Sequence, residues 1–211
     1  MIITMEPLNP SAARTPTAVT LLGRHVRLEP LTRAHLADLF AAGGGDEEVW
    51  RRLPVRTPRT QQELGTLLDK LVADCAAGTR VAFAVVRLAT GRAVGWTSYG
   101  FFSTVDECLE IGWTWYGRTA WRTAVNTESK LLLLSHAFEE LGMGRVCWRT
   151  DHLNTRSQQA ISRLGAVREG VLRRELRRPD GSWRDTVFYS MLKDEWPGAK
   201  ERLAARLAVR G

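Results

Sequence analysis

The segment LEIGWTWY (109–116) is apolar and rich in tryptophan, which is typical of a buried β-strand. It leads into a polar, basic turn, GRTAWRTAVNT (117–127), and then into a predicted helix, ESKLLLLSHAFEELG (128–142). A strand that passes through a basic turn into a helix is a recurrent way of holding pyrophosphate. The free N–H groups of the first helical turn face the anion, and the helix dipole adds to their attraction. The sequence therefore predicts an anion site over residues 122–127.

The rest of the chain alternates strand and helix patterns around this segment. The capping box at Thr60 opens the clearest amphipathic helix, and Pro54 and Pro58 mark a loop before it. The predicted elements are a strand at 21–31, helices after Thr32 and at 61–75, strands at 81–88, 93–102, 109–116 and 145–150, helices at 128–142 and after Asn154, a hairpin over 168–192, and a helix over 194–208. This order predicts a mixed α/β sheet flanked by helices.

Composition limits the function classes. A chain of 211 residues is long enough for one domain with a substantial core. We expect a flexible lead-in over residues 1–20, a single domain over 21–193, and a C-terminal helical segment over 194–211. No apolar run is long enough to cross a bilayer, and the N-terminus lacks the pattern of a secretory signal, so we expect a cytoplasmic protein without membrane contact.

The charge pattern does not identify one partner, and the pattern of possible metal ligands does not indicate a metal. The net charge of +7 permits contact with nucleic acid, the ribosome or an anionic cofactor, although a solvated arginine-rich surface is the simpler interpretation. The four histidines and three cysteines are scattered without metal-ligand spacing, so no metal is expected. The sequence leaves a homodimer open.

The order of elements and the segment over 109–165 together resemble the acetyl-CoA-binding core of the GCN5-related N-acetyltransferase (GNAT) family. The stretch Asn154-Thr155-Arg156-Ser157 is most similar to the RimJ/RimL-type branch, the ribosomal-protein acetyltransferases. The resemblance implies the GNAT fold, in which a central, mostly antiparallel twisted sheet contains one splayed parallel strand pair. It also implies acetyl-CoA as cosubstrate.

The resemblance assigns the cofactor-binding residues. In the family the phosphate turn reads Q/R-x-x-G-x-G/A, and the matching window here is WRTAVN (121–126), in which Ala124 and Asn126 replace the usual small residues and Trp121 the usual Gln or Arg. The splayed strand would offer its backbone to the pantetheine arm, and Asn154 would bond the pantetheine, cap its helix, or do both. The implied set is Trp113, Thr114, Trp115, Trp121, Arg122, Thr123, Ala124, Val125, Asn126, Thr127 and Asn154.

The resemblance also points to the groups that move protons. Many relatives carry a tyrosine four residues after Ser157 that protonates the leaving thiolate, but this chain has Ile161 there, so Ser157 or water is expected to act instead. The acceptor must be a neutral amine, and a carboxylate can remove its proton. Glu110 and Glu175 match acidic positions of the family, with Asp106 and Glu107 as alternatives.

The function that follows is transfer of acetyl from acetyl-CoA directly to a primary amine, on a protein N-terminus or on a small molecule. Two alternatives stay open. One keeps the chemistry and makes the acceptor an aminoglycoside or other antibiotic amine. The other, suggested by the altered turn and the positive charge, is a CoA-binding or RNA-associated module without transfer activity.

Overall fold

A computed structural model describes residues 12–209. One eight-stranded sheet runs through the molecule in the order β1-β2-β3-β4-β5-β6-β8-β7. Its strands are β1 (Leu21–Leu22), β2 (Val26–Pro30), β3 (Arg80–Arg87), β4 (Arg92–Ser103), β5 (Cys108–Tyr116), β6 (Arg145–Asp151), β7 (Val167–Arg177) and β8 (Trp183–Leu192). Every neighbouring pair is antiparallel except β5 and β6, which are parallel. The predicted mixed sheet with one parallel pair is confirmed.

Six α-helices flank the sheet in the described residues. They are α1 (Leu36–Gly43), α2 (Glu47–Trp50), α3 (Gln61–Ala76), α4 (Ala124–Ser135), α5 (Thr155–Ser162) and α6 (Trp196–Ala208). A π-helical turn, His136–Glu140, continues α4, and short 3₁₀ turns occupy Arg33–His35, Arg118–Ala120 and Lys193–Glu195. Among these 198 positions no helix is both long and apolar enough to span a membrane.

Three local predictions were wrong, each because a short polar contact was overlooked. Helix α4 begins at Ala124, four residues before the predicted start, because Thr123 caps it and accepts a hydrogen bond from the Val125 N–H at 3.3 Å. The strand predicted over 21–31 is a hairpin, closed where the Gly23 N–H bonds the Val26 carbonyl. Helix α2, which the sequence did not predict, is capped by Asp46.

Apolar side chains form one core on each face of the sheet. The first core packs α4, α5 and α6 against the strands and includes Tyr99, Leu133, Phe138, Ile161 and Trp196. The second lies under α1, α2 and α3 and includes Leu39, Trp50, Leu64, Trp96 and Trp115. Burial of these side chains holds the helices on the sheet, and so it fixes the helix termini that flank the β5–β6 pair.

A buried carboxylate joins α4 to the start of the sheet. Glu128 is 4% exposed and accepts hydrogen bonds from the backbone N–H groups of Arg24, His25 and Val26 at 2.7–2.8 Å. Three donors compensate for removing a charge from water. The turn before β2 therefore fixes the position of α4.

The structure covers only part of the three segments predicted for the chain. The lead-in predicted over 1–20 falls partly outside the described residues. Residues 12–20 contain no helix or strand, and the Arg14 N–H bonds the Leu141 carbonyl at 2.8 Å. The division into lead-in, domain and C-terminal segment stays a prediction.

Candidate active site between the splayed strands

Strands β5 and β6 pair over three positions only and then separate. Cys108, Leu109 and Glu110 lie opposite Arg145, Val146 and Cys147. Beyond Glu110, β5 bulges: its register against β4 shifts, and Trp113 has a φ of +51°, which is uncommon for a residue other than glycine. The backbone of residues 111–116 therefore has no strand partner on the β6 side. Trp113, Thr114 and Trp115 lie on this stretch, as predicted.

A charge cluster around the buried Glu110 lies where the strands part. Arg149 of β6 reaches Glu110 of β5, with 2.7 Å between Arg149 Nε and Glu110 Oε2, and also Glu175 of β7, with 3.6 Å between Arg149 Nη1 and Glu175 Oε1. Two strands that are distant in sequence thus bring together both carboxylates that the sequence singled out. Arg149 itself was missed, although an arginine directly after the apolar run 146–148 was a signal.

Each of the two carboxylates has an oxygen without an aligned hydrogen-bond donor. Glu110 Oε2 and Glu175 Oε2 are buried and accept no hydrogen bond within the described part of the chain, so the Glu110–Arg149 contact is an ion pair without hydrogen-bond alignment. Buried acceptors are rarely left without a donor. The arrangement suits a group that binds a water or an ammonium for part of a reaction cycle.

Burial raises the pKa of the Glu110 carboxyl above its ordinary value, and nearby Glu175 raises it further. Arg149, Arg80 and Arg184 oppose this and lower the same pKa. Close packing holds the carboxyl group here, because a Cβ added at Gly112 would lie 2.5 Å from Glu110 Oε1. A fixed carboxylate with a raised pKa is suited to accept a proton.

Bulges in the neighbouring strands position the side chains of this cluster. The register of β7 against β8 shifts between Leu172 and Leu176, and Arg174 has a φ of +53°, so Glu175 lies within a bulge. Phe101, in a bulge of β4, lies 4.0 Å from the Arg149 guanidinium carbon, measured to the ring centre. Asp106 and Glu107, the alternative acids, lie in the β4–β5 turn, where Asp106 bonds Ser103 at 2.7 Å.

The predicted anion site forms the start of α4. Residues 124–127 are its first helical turn rather than a turn before it, and the first N–H groups of a helix have no acceptor within the helix. Arg122 precedes the cap with a φ of +59°, a strained conformation for arginine. N–H donors are therefore present, apart from that of Val125, which the Thr123 hydroxyl accepts, and Ala124 occupies an ordinary helical position that does not require glycine.

Trp121 closes the opposite side of this turn. Its indole N–H bonds the Tyr116 carbonyl at 2.7 Å, so its side-chain donor is occupied. The guanidinium of Arg156, on α5, lies 3.8 Å from the Trp121 ring centre. The turn after β5 and the helix after β6 thus meet through a cation–π contact across the open end of the splayed strands.

Helix α5 carries the second predicted motif. Asn154 caps it and accepts a hydrogen bond from the Ser157 N–H at 3.1 Å, which satisfies the capping alternative. Ser157 is half-buried in the first turn, and Ile161, one turn later, is buried in the first core. The structure therefore gives no proton donor at position 161.

Lys130 is a further buried cation that the sequence did not reveal. Its ammonium bonds the hydroxyls of Thr114 at 3.0 Å and Thr97 at 3.2 Å, directly behind the bulge of β5. Burial lowers its pKa to about 7. In the sequence it follows Glu128 and Ser129 and precedes four leucines (131–134), and this position alone did not distinguish it from a lysine exposed to solvent.

A cavity of about 800 Å³ is lined in part by Arg184, whose guanidinium lies within electrostatic range of Glu110 and Glu175. The loop between α2 and α3 forms one wall, and the β7–β8 turn with Arg184 forms the other. Trp50 reaches the cavity from the second core, where it packs edge-to-face against Trp96 and at a tilt against Trp115, with ring-centre distances of 5.8 and 4.8 Å. Within residues 12–209 no three His, Cys, Asp or Glu side chains are grouped so that they could hold a metal ion.

Comparisons with known proteins agree with this geometry. The model of the Acetyltransferase (GNAT) domain family matches residues 25–167. A solved structure from T. thermophilus, provisionally named an acetyltransferase, shares 43% identity, covers 91% of this chain and 97% of its own, and has a TM-score of 0.80. A GCN5-related N-acetyltransferase from Brucella melitensis shares 30% identity over 92% and 88% of the two chains, with a TM-score of 0.86.

Among curated proteins, YdaF of Bacillus subtilis (strain 168) is provisionally named a ribosomal N-acetyltransferase. It is 33% identical over 110 residues, which are 52% of this chain and 59% of YdaF. The matched segments thus span less than two thirds of the curated relatives, 59% and 55%. The chain belongs to the GNAT family of acetyltransferases. The resemblance drawn from residues 109–165 is confirmed, and the YdaF match supports the RimJ/RimL-type branch.

Proposed function

We propose that this protein transfers the acetyl group of acetyl-CoA directly to a primary amine, on a protein N-terminus or a small molecule. The observation that carries the proposal is the Glu110–Arg149–Glu175 cluster, with Glu110 buried, at the point where β5 and β6 part. It places a proton acceptor beside the stretch of β5 that has no strand partner, and Arg184, which lies within electrostatic range of both carboxylates, lines the open cavity. The unpaired strand would hold the thioester and the cavity would admit the amine, and acetyl transfer needs the two to meet.

The start of α4 would hold the pyrophosphate of acetyl-CoA through the amides of residues 122–127, and Arg122 would add positive charge. The unpaired backbone of 113–115 would bond the pantetheine arm, and a backbone N–H of β5 would stabilise negative charge on the thioester oxygen. Acetyl-CoA supplies the activated carbonyl carbon. During the reaction the N–C bond forms and the C–S bond breaks. Glu110, or Glu175, takes the amine proton, and Ser157 or water supplies a proton to the sulfur.

The cofactor assignment predicts the effect of Ala124→Pro. Ala124 is the first helical residue, where proline is tolerated, and Thr123 before it is extended with a φ of −99°, as the residue before proline requires. The variant thus loses one N–H donor and keeps the helix. We expect calorimetry to show a Kd for CoA raised by about ten-fold to a hundred-fold, since a hydrogen bond to a charged group contributes about 1.5–3 kcal/mol.

Ala124→Ser is the matched control, because it changes the side chain at the same position and keeps the N–H. It should bind CoA like the wild type. An unchanged Kd for Ala124→Pro, with an unchanged circular dichroism spectrum, would remove residues 122–127 from the cofactor site.

The role of Ser157 predicts a separate pattern. Ser157→Ala should lower kcat on the order of ten-fold and leave the Kd for CoA unchanged; the loss is smaller than is usual for a general acid because water can replace the hydroxyl. Ser162→Ala, an exposed serine of the same helix, is the control. Full kcat in Ser157→Ala would show that the serine only supports the helix and that water protonates the sulfur.

The direct test of the proposal is thiol release from acetyl-CoA over a panel of peptides, polyamines, amino acids and aminoglycosides. We expect amine-dependent release with at least one class, and mass spectrometry should find one acetyl group on the amine. If CoA binds in calorimetry but no amine is acetylated, the protein is a CoA-binding module and the proposal fails.

A further inference from the structure

The first wall of the cavity is rich in arginine. The loop after α2 contributes Arg51, Arg52, Arg56 and Arg59. Arg51 pairs with Glu48 at 3.0 Å and Arg59 with Glu47 at 2.6 Å. Arg52 and Arg56 have no ion pair with any residue of the described chain. Two positive charges on this wall are therefore not balanced by a neighbouring carboxylate.

The second wall adds three more arginines. Arg178 is bound to Asp151, with distances of 2.8 and 2.9 Å to its two carboxylate oxygens. Arg177 has no carboxylate partner in residues 12–209 and lies 4.5 Å from the ring centre of Trp183. Arg184 is 8% exposed and donates through Nε to Thr186 at 3.0 Å. Three of the seven arginines on the two walls are paired with carboxylates and four have no ion pair among the described residues, so positive charge is in excess in the cavity.

Arg184 connects the cavity to the candidate base. It lines the cavity, and although burial lowers the pKa of its guanidinium, the charges of Asp151, Glu175 and Glu110 act on it in the opposite direction. Arg184 therefore lies on the cavity wall and within electrostatic range of both candidate bases, Glu110 and Glu175. No residue from 109 to 127 lines the cavity, so its positive charge is separate from the predicted pyrophosphate site.

We infer that the cavity is the acceptor site and that it selects primary amines which carry carboxylates close to the amino group. This inference rests on the proposed acetyl transfer and names its substrate class. A volume of about 800 Å³ accommodates a ligand of several residues. Planar guanidinium groups bind carboxylates with two parallel hydrogen bonds, and the unpaired arginines are placed to do so. Such an acceptor is either a peptide with an acidic N-terminal sequence or a small amino-dicarboxylic acid.

The test compares acceptors that differ only in charge. Peptides that begin Ser-Asp-Glu and Ala-Asp-Glu are compared with amide-matched peptides that begin Ser-Asn-Gln and Ala-Asn-Gln, and aspartate is compared with asparagine. We expect kcat/KM to be at least ten-fold higher for the acidic member, mainly through KM, and the preference to shrink as salt is added. A preference limited to the peptide pairs identifies a peptide acceptor, and one limited to aspartate identifies a small molecule.

The second part of the test reverses the charge of the cavity wall. Arg52→Glu/Arg56→Glu should remove the preference for acidic acceptors and leave the Kd for CoA unchanged. Arg168→Glu is the control, because this exposed arginine lies on β7 nine residues from Arg177, roughly 30 Å along an extended strand. It should keep the preference. Equal rates with acidic and amide-matched acceptors, or an unchanged preference in the double variant, overturn the inference.

The outcome separates this inference from the proposed function. If neutral amines are acetylated without any preference for acidic ones, acetyl transfer stands and the inference fails. If nothing is acetylated, binding of a fluorescently labelled Ser-Asp-Glu peptide is measured by anisotropy. Binding that the double variant loses and Arg168→Glu keeps would retain the anion-selective cavity in a protein without transfer activity, and absence of binding would overturn it.

Discussion

Glu110→Gln is expected to lower kcat/KM by about a hundred-fold or more, because a positioned base typically contributes at least that factor. The amide is nearly the same size as the carboxylate, so the packing against Gly112 is kept, but it does not accept the amine proton. The Kd for CoA should not change, since the predicted cofactor contacts lie on other residues. Thiol-release kinetics with the preferred amine measure the loss.

The pH dependence identifies the base more sharply than the rate. The base acts in its ionised form, so activity falls as the pH falls through the pKa of Glu110, and burial places that acidic limb above the range of an ordinary glutamate. The limb should disappear in Glu110→Gln. Glu175→Gln is the matched control, and it should keep the limb and move it to lower pH, since removal of a neighbouring negative charge lowers the pKa of Glu110.

A glutamate that only attracts a cationic amine would behave differently. Its Gln variant would raise KM and keep the acidic limb. If the limb is lost in Glu175→Gln instead, the roles of the two carboxylates are exchanged. A wild-type profile in both variants would exclude both residues and leave Asp106 and Glu107, which lie in the exposed turn before β5.

Lys130→Met is expected to raise the free energy of unfolding near neutral pH, on the order of 4 kcal/mol, because the folded chain then no longer buries an ammonium whose pKa is lowered to about 7. Below pH 7 the lysine is protonated in both states and the full cost of burial is present. Between pH 7 and about 10 the folded chain has released the proton and the unfolded chain keeps it. The stability of the wild type should therefore rise with pH in this range.

Denaturant unfolding at several pH values between 6.5 and 9.5 measures both effects. The variant should be more stable at pH 7 and should lose the part of the pH dependence that Lys130 causes. The hydroxyls of Thr97 and Thr114 lie 2.7 Å apart and keep each other as partners after the substitution. Exposed Lys70 gives the control variant, Lys70→Met, which should change neither property. The prediction is wrong if the two variants show the same pH dependence or if Lys130→Met is the less stable.

Local sequence patterns predicted the elements whose formation depends on residues close together in the chain. Strand β5, helix α3 with its Thr60 cap, and the motif at Asn154 follow from periodicity and capping within a few residues. The start of α4 was misplaced because Val125 and Asn126 look like loop residues unless Thr123 is recognised as the cap. Residues whose role depends on neighbours a few positions away in the sequence could therefore be predicted.

The sequence predicted individual residues of the candidate site but not how they meet, and the reason is physical. Glu110 and Glu175 were singled out one by one, but their meeting through Arg149 depends on three strands and on bulges in β4, β5 and β7, which no short window of sequence encodes. The arginines around the cavity come from segments about 120 residues apart. Lys130 was missed because depth of burial is a tertiary property.

The contact of Glu128 with the turn before β2 defines where a shortened version of this protein can begin. The family match starts at residue 25, but one of the three amides that hold the carboxylate belongs to Arg24. A fragment starting at residue 27 would bury that negative charge without any of its donors, and each unsatisfied partner costs about 1–3 kcal/mol. The loss would fall on the helix whose first turn is the proposed phosphate site. Expression boundaries should therefore be chosen from this long-range anchor, upstream of Gly23, rather than from the limits of the family match.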